Sequence, residues 1–289
     1  MAEKGALPRE YKGASEPVWA LVCGLRNAKR RTRTLVILNG FVDESEDLSV
    51  FVLAGYVASA EVWAAFSDDW HVALHATPGI WELKTKDAMA LKGCFSGFTK
   101  AERDKKLCDL YQVIDKHVFF EVSAVIPMEP FTRIFRNGIL PKKVASPYYH
   151  ALPLLISNIA RHQITIGMEE KIDFIFDERR IEQGKLLAIW DMVVETAPDD
   201  VKPMLGSTPN FKSDTDVLPL QAADMEAWWL RKRWRELLTG EPRLEYPWQP
   251  AAIPGVTCEY TEEKLQESYG KIFQAHLDAG WRPNPSSSA

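Results

Sequence analysis

The chain has 289 residues, 46% of them hydrophobic, with a formal net charge of -5 at pH 7. That length supports one large domain, or one domain with extensions. The negative balance excludes a global attraction to nucleic acid or to an anionic membrane, so a nucleic-acid role needs local basic patches.

Residues 1–33 read as a basic N-terminal arm or add-on helix, with one apolar patch from Val18 to Leu25. That patch follows Lys4, Arg9 and Lys12 as the core of a signal peptide would. It is short, lacks a small-residue cleavage site, and runs into Arg26, Lys29, Arg30, Arg31 and Arg33. No apolar stretch approaches the roughly 20 residues needed to span a bilayer. The four cysteines, Cys23, Cys94, Cys108 and Cys258, lack Cys-x-x-Cys spacing and read as isolated reduced thiols. The expectation is a cytoplasmic protein with no membrane partner.

The apolar run Thr34 to Val42 predicts a strand buried on both faces, closed by Asp43-Glu44-Ser45. After a polar turn, Val50 to Val57 predicts a second strand and an antiparallel hairpin. Gly55 inside it marks a bulge or a close backbone approach. Ser59 is an N-cap for a helix with the stripe Trp63, Phe66, Trp70 and Leu74. His71 and His75 sit one turn apart on it. The residues between them are Val72, Ala73 and Leu74, so the metalloprotease signature is absent and they read as surface histidines.

Trp81-Glu82-Leu83-Lys84 alternates as a short strand or its exit would. Thr99 to Lys116 predicts an amphipathic helix, Val118 to Ile126 a strand stopped by Pro127, and Ser146 to Gly167 a long helix. A strand ends at Asp177-Glu178, and a helix follows around Lys185 to Thr196. A polar stretch rich in Pro, Asp and Ser leads to the helix that opens at Leu218 and contains Asp224. Thr239 to Thr257 lacks clear periodicity, and Thr261 to Ala279 predicts a last helix with Glu262 and Glu263 in its first turn. Residues 282–289 read as a disordered tail.

Three acids, Asp43, Asp177 and Asp224, end or interrupt apolar segments. If the strands ending at Asp43 and Asp177 are parallel neighbours, their axes lie about 4.8 Å apart. Two ionised carboxylates so placed either raise a pKa or share a cation. An all-oxygen ligand set suits Mg²⁺ or Mn²⁺. Asp224 shares a helical stripe with Leu220, Ala227 and Trp228, where an unpaired carboxylate is costly. A cation or an Arg from the core edge would relieve that cost. Gln221 lies on nearly the same face and could orient the acid or a substrate. Glu44 and Glu178 face the opposite way along their strands and rank below Asp43 and Asp177.

Four motifs occur in order along the chain. Phe41-Val42-Asp43-Glu44-Ser45 follows the first strand, and Glu82-Leu83-Lys84 supplies a Glu-x-Lys element. Phe174-Ile175-Phe176-Asp177 is an aromatic strand end closed by an acid. Leu218-Pro219-Leu220-Gln221-Ala222-Ala223-Asp224 opens a helix. Together they resemble the bacterial family named domain of unknown function 3800, which is similar to ribonuclease H-like nucleases. The resemblance covers roughly residues 34–235. The family's first motif resembles Asp-Glu-Ser-Gly-Asp, and this chain has Glu46 in place of the Gly.

The resemblance implies an α/β fold, a ribonuclease H-like mixed sheet flanked by helices over residues 34–240, and the pattern of the residues themselves adds a C-terminal helical extension over 241–289. It implies Asp43, Asp177 and Asp224 as catalytic carboxylates holding Mg²⁺ or Mn²⁺; Glu82 is the candidate for a fourth catalytic acid, with a surface Glu on a strand exit as its alternative. Ser45, Lys84 and Gln221 are supporting residues. Arg231, Arg233 and Arg235, interleaved with Trp228, Trp229 and Trp234, suit phosphate contact and base stacking. A core-facing Trp stripe with a solvated basic face is the alternative for that segment. The expected function is a metal-dependent nuclease or phosphodiesterase acting on DNA or RNA. The competing expectation is a non-catalytic module binding nucleic acid or protein on the same fold. No Walker-type motif, paired-glycine fingerprint or Gly-x-Ser-x-Gly elbow points to another chemistry.

Overall fold

The computed structural model describes residues 13–23, 38–178 and 183–282. The basic cluster Lys29 to Arg33, positions 34–37 of the expected first strand, and residues 283–289 lie outside them.

In chain order, the elements begin with helix α1 (Glu16–Cys23), strand β1 (Leu38–Glu46) and strand β2 (Val50–Ser59). Helices α2 (Ala60–His75), α3 (Thr85–Ala90) and α4 (Lys100–His117) lead to β3 (Phe120–Pro127). A short helix α5 (Met128–Phe131) continues into a π-helical turn, Thr132–Arg136. Then come α6 (Tyr148–Thr165), β4 (Ile172–Asp177), α7 (Gln183–Thr196), β5 (Asn210–Lys212), α8 (Pro219–Thr239), β6 (Gly255–Glu259) and α9 (Glu262–Asp278).

The strands form one six-stranded mixed sheet in the order β5-β4-β1-β2-β3-β6. β1, β2 and β3 are an antiparallel meander, whereas β4 lies parallel to β1, β5 parallel to β4, and β6 parallel to β3. Gly55 explains how closely β1 and β2 approach. A Cβ built there would stand 1.8 Å from the Phe41 carbonyl oxygen, so no larger residue fits.

Helix starts follow local chemistry. The Ser59 hydroxyl accepts from the Val62 amide, and Thr99 and Glu102 form a reciprocal capping box at α4. The end of α2 is closed by Lys106, only 2% exposed, whose ammonium donates to the carbonyls of Ala73 and Ala76 at 2.7 Å and of Leu74 at 3.2 Å. Carbonyls at a helix end lack partners within the helix, and the ammonium supplies them.

Helices cover both faces of the sheet. One face packs Phe41, Tyr56 and Ile175 against Trp63, Phe66 and Trp70 of α2, Leu107 and Ile114 of α4, and Met225 and Trp229 of α8. The other packs Val42, Leu53, Val122 and Phe176 against Leu152 and Leu155 of α6, Trp190 of α7 and Leu265 of α9. Val18 brings α1 onto the first face.

Three local expectations differ from the structure. β1 does not stop at Asp43 but runs to Glu46, because β2 stays paired with it through Asp43↔Ala54 and Glu46↔Phe51. Trp81 to Lys84 is a loop rather than a strand, since the backbone there bonds to side chains of α8. β5 and β6 are short edge strands inside stretches that read as irregular. The turn after Glu46 is closed by Asp47, whose carboxylate accepts from the amides of Ser49 and Val50. Among the described residues, no helix is long and apolar enough to cross a membrane.

Candidate active site

β1 and β4 are parallel neighbours with Val42 opposite Phe176, so Asp43 and Asp177 occupy the next position on each strand. Side chains alternate along a strand. Phe41 and Ile175 pack on the α8 face, which assigns Asp43 and Asp177 to that same face. Both are buried, at 1% and 2% exposure. Glu44 takes the opposite face, where it accepts a hydrogen bond from the Tyr148 hydroxyl.

Asp224 enters this face from the first half of α8, again buried. Its Oδ2 accepts the Thr85 amide at 2.8 Å, where the chain enters α3. Lys84, the preceding residue, sends its ammonium to Asp214, with Asp177 Oδ2 at 3.7 Å. Burial pushes the Lys84 pKa down. The hydrogen bond to Asp214 and the fields of Asp214, Asp224 and Asp177 outweigh that, so it lies above the ordinary lysine value.

Asp214 belongs to this cluster although its sequence context does not single it out. It is 1% exposed and sits between β5 and α8, inside a polar stretch that carries no periodicity. The one available signal is its place in Lys212-Ser213-Asp214-Thr215-Asp216, just ahead of an apolar helix start.

Gln221 ties these pieces together and is wholly buried. Its Oε1 accepts from the Trp70 indole at 3.1 Å and the Leu83 amide at 3.0 Å, while its Nε2 donates to the Asp214 carbonyl at 3.0 Å. One amide therefore fixes α2, the Lys84 loop and the Asp214 loop. Its polar atoms are engaged with the protein, which makes it a positioning residue.

The other expected residues stand around this cluster. Glu82 is half-buried and lines a small recess with Lys84, Asp87, Cys94 and Phe95. The Ser45 hydroxyl accepts from Arg231 Nε at 2.8 Å, and the same guanidinium reaches Asp47 at 2.6 Å. Arg233 pairs with Glu236 at 3.2 Å and lies 4.1 Å from the Tyr246 ring centroid. Arg235 pairs with Glu241 at 2.5 Å. All three arginines are thus engaged in ion pairs within the chain. Trp229 is buried in the core, and Trp228 and Trp234 are half-buried.

A second group of acids lies farther along the same face. The Tyr56 hydroxyl donates to Glu226 at 2.6 Å, and Glu121 stands opposite Tyr56 in the β2–β3 ladder. Burial, and then the field of Glu226, push Glu121 up to about 7. Burial also raises Glu226, against the hydrogen bond from Tyr56.

The carboxylates of Asp43, Asp177, Asp214 and Asp224 offer only oxygen donors, the chemistry that a hard divalent cation takes. In the arrangement described, no three His, Cys, Asp or Glu side chains among the described residues are spaced to share an ion. Compared with protein-family models and with curated proteins, the chain matches none of them.

Proposed function

We propose that this chain is a ribonuclease H-like, divalent-metal-dependent phosphodiesterase that hydrolyses nucleic acid. The observation that carries the reading is the convergence of Asp177, Asp214 and Asp224 around Lys84, on the buried sheet face that also carries Asp43. Four acids from a central strand, its parallel neighbour, a loop and a helix are costly to gather unless the site uses them. The antiparallel meander with β4 and β5 added on the β1 side is compatible with the fold that the motifs imply.

In this reading Asp43, Asp177 and Asp224 would hold Mg²⁺ or Mn²⁺ after their side chains turn toward a shared ion, since in the arrangement described they are not spaced to do so. Such an ion, when bound, activates water and stabilises the leaving oxygen at phosphorus. Lys84, kept cationic by its acidic neighbours and paired with Asp214, would reach a phosphate oxygen by exchanging that partner when substrate binds. Gln221 holds the backbone on either side of the site in register. The free thiols of Cys94, Cys108 and Cys258 support a reducing, cytoplasmic setting.

One observation favours a second reading, a binding module without catalysis. An ammonium already sits among the acids, and it offsets their charge without a metal. Thermal unfolding in EDTA, Mg²⁺ and Mn²⁺, for wild type and Asp43→Asn, separates the two, with cleavage of labelled DNA and RNA scored alongside. A ligand that binds only the native state raises Tm. The phosphodiesterase reading expects a metal-dependent rise and cleavage in wild type, both lost in the variant. Cleavage that persists in pure Asp43→Asn would refute it.

A further inference from the structure

Trp81 is 70% exposed, whereas every other tryptophan of the chain is buried or half-buried. Its exposure does not come from a loose loop. The preceding residue, Ile80, is buried and its amide donates to the Leu74 carbonyl at 2.8 Å. Leu83, fully buried, donates its amide to Gln221. Lys84 and Thr85 then join the acid cluster through Asp214 and Asp224. The indole is therefore carried on a clamped backbone, within the same short loop as Lys84.

The charge distribution says what such a platform is for. The chain has a net charge of -5, the cluster is acidic, and Arg231, Arg233 and Arg235 are engaged with Asp47, Glu236 and Glu241. Phosphate contacts alone then give a nucleic acid little purchase. Stacking of a base on a neutral indole adds affinity without opposing the acids, and it tolerates any base sequence. A base can reach an exposed ring face only when it is not already stacked and paired within a duplex. The same segment presents Lys86 and Lys92 to solvent.

Resting on the phosphodiesterase reading, we infer that Trp81 stacks on an unpaired base, and that the substrate class is single-stranded nucleic acid. Trp81 is a positioning residue that holds the strand beside Lys84 and the carboxylates.

The test measures anisotropy of labelled oligonucleotides with the Asp43→Asn protein in Mg²⁺, carrying Trp81, Trp81→Phe or Trp81→Ala. The probes are a pyrimidine single strand, an abasic strand of equal length, and a duplex. The expected result is single-strand binding about tenfold or more tighter than abasic binding, the size of one base–aromatic stack. Trp81→Ala should abolish that ratio and Trp81→Phe should keep most of it, with unchanged Tm. Equal binding of single and abasic strands, tighter binding of the duplex, or an unaltered ratio in Trp81→Ala would each overturn the inference. Cleavage by the protein with Asp43 intact, scored separately, distinguishes the two levels. Cleavage with a Trp81-independent ratio removes only the stacking role. A Trp81-dependent ratio without cleavage removes only the catalytic reading. Failure to bind any probe removes the stacking role, and the absence of cleavage with Asp43 intact then removes the catalytic reading as well.

Discussion

The two faces of the sheet are built on different principles. The face under α6, α7 and α9 is an apolar interior in which Leu152, Leu155, Phe174 and Trp190 exclude water. Its buried base, His150, is surrounded by Phe131, Phe135 and Tyr260 and held by the Val144 carbonyl at 2.8 Å. The face under α2, α3 and α8 has comparable apolar packing, yet it also encloses Asp43, Asp177, Asp214, Asp224 and Gln221, with Lys84 half-buried beside them. Both faces are largely buried, so burial alone does not separate them. What differs is the density of polar groups held in fixed positions by one another. An apolar face stabilises through area removed from water, whereas a buried polar network fixes geometry at a cost.

The largest expected effect acts on the polar face alone. On the proposed phosphodiesterase reading, Asp177→Asn should lower cleavage on the order of a thousandfold, as loss of a principal electrostatic contact does, while circular dichroism shows the fold retained. Leu155→Ala on the apolar face should do the reverse. It should cost about 2–5 kcal/mol in urea unfolding and leave the metal-dependent rise in Tm intact. If both substitutions moved both readouts equally, the division between the faces would collapse.

Gln221→Leu sharpens the comparison from within the polar face. It strips partners from the Leu83 amide, the Asp214 carbonyl and the Trp70 indole, at a cost of about 3 kcal/mol. Cleavage should fall with it, because the Lys84 and Asp214 loops lose their common anchor.

The faces should also respond to pH in opposite directions. Glu121, on the polar side, has its folded pKa raised to about 7 from an ordinary 4.5. The native state keeps a proton that the unfolded chain releases, so this contribution is full below about 4.5 and is lost as pH rises to about 7. His150 is lowered to about 4 from 6.5 by burial, against the Val144 carbonyl. Its contribution is full above 6.5 and is lost as pH falls to about 4. Because the two slopes oppose each other, melting curves from about pH 4 to 8 must be taken on Glu121→Gln and His150→Gln separately. Each variant should remove one slope and expose the other.

The smallest effect is expected outside both faces. Leu48 at the hairpin tip is 98% exposed, and Leu48→Ser should change stability by no more than about 0.5 kcal/mol.

Patterns with a local physical cause are legible in the order of residues. The stripe Trp63, Phe66, Trp70 and Leu74 is the buried face of α2, and Ser59 caps the helix that follows it. The placement of Asp43 and Asp177 on adjacent parallel strands matches the condition that their strand-end positions set. Asp214 is not legible, because a loop acid has no period and only its partner identifies it. β6 escapes for a related reason. An edge strand of five residues, partly exposed, lacks the alternation that marks a half-buried strand. The arginines at 231, 233 and 235 read as a basic face because their acids, Asp47, Glu236 and Glu241, are recognisable as partners only after folding.

Neighbours within a turn or a strand are enough to set the periodic elements, their caps and the acids that interrupt apolar runs. Which charges meet is settled by the packed fold. Lys84 joins Asp214 from a loop far earlier in the chain, and Gln221 reaches Leu83 across 138 residues. Contacts at that separation depend on how the sheet orders its strands, and no local preference encodes them.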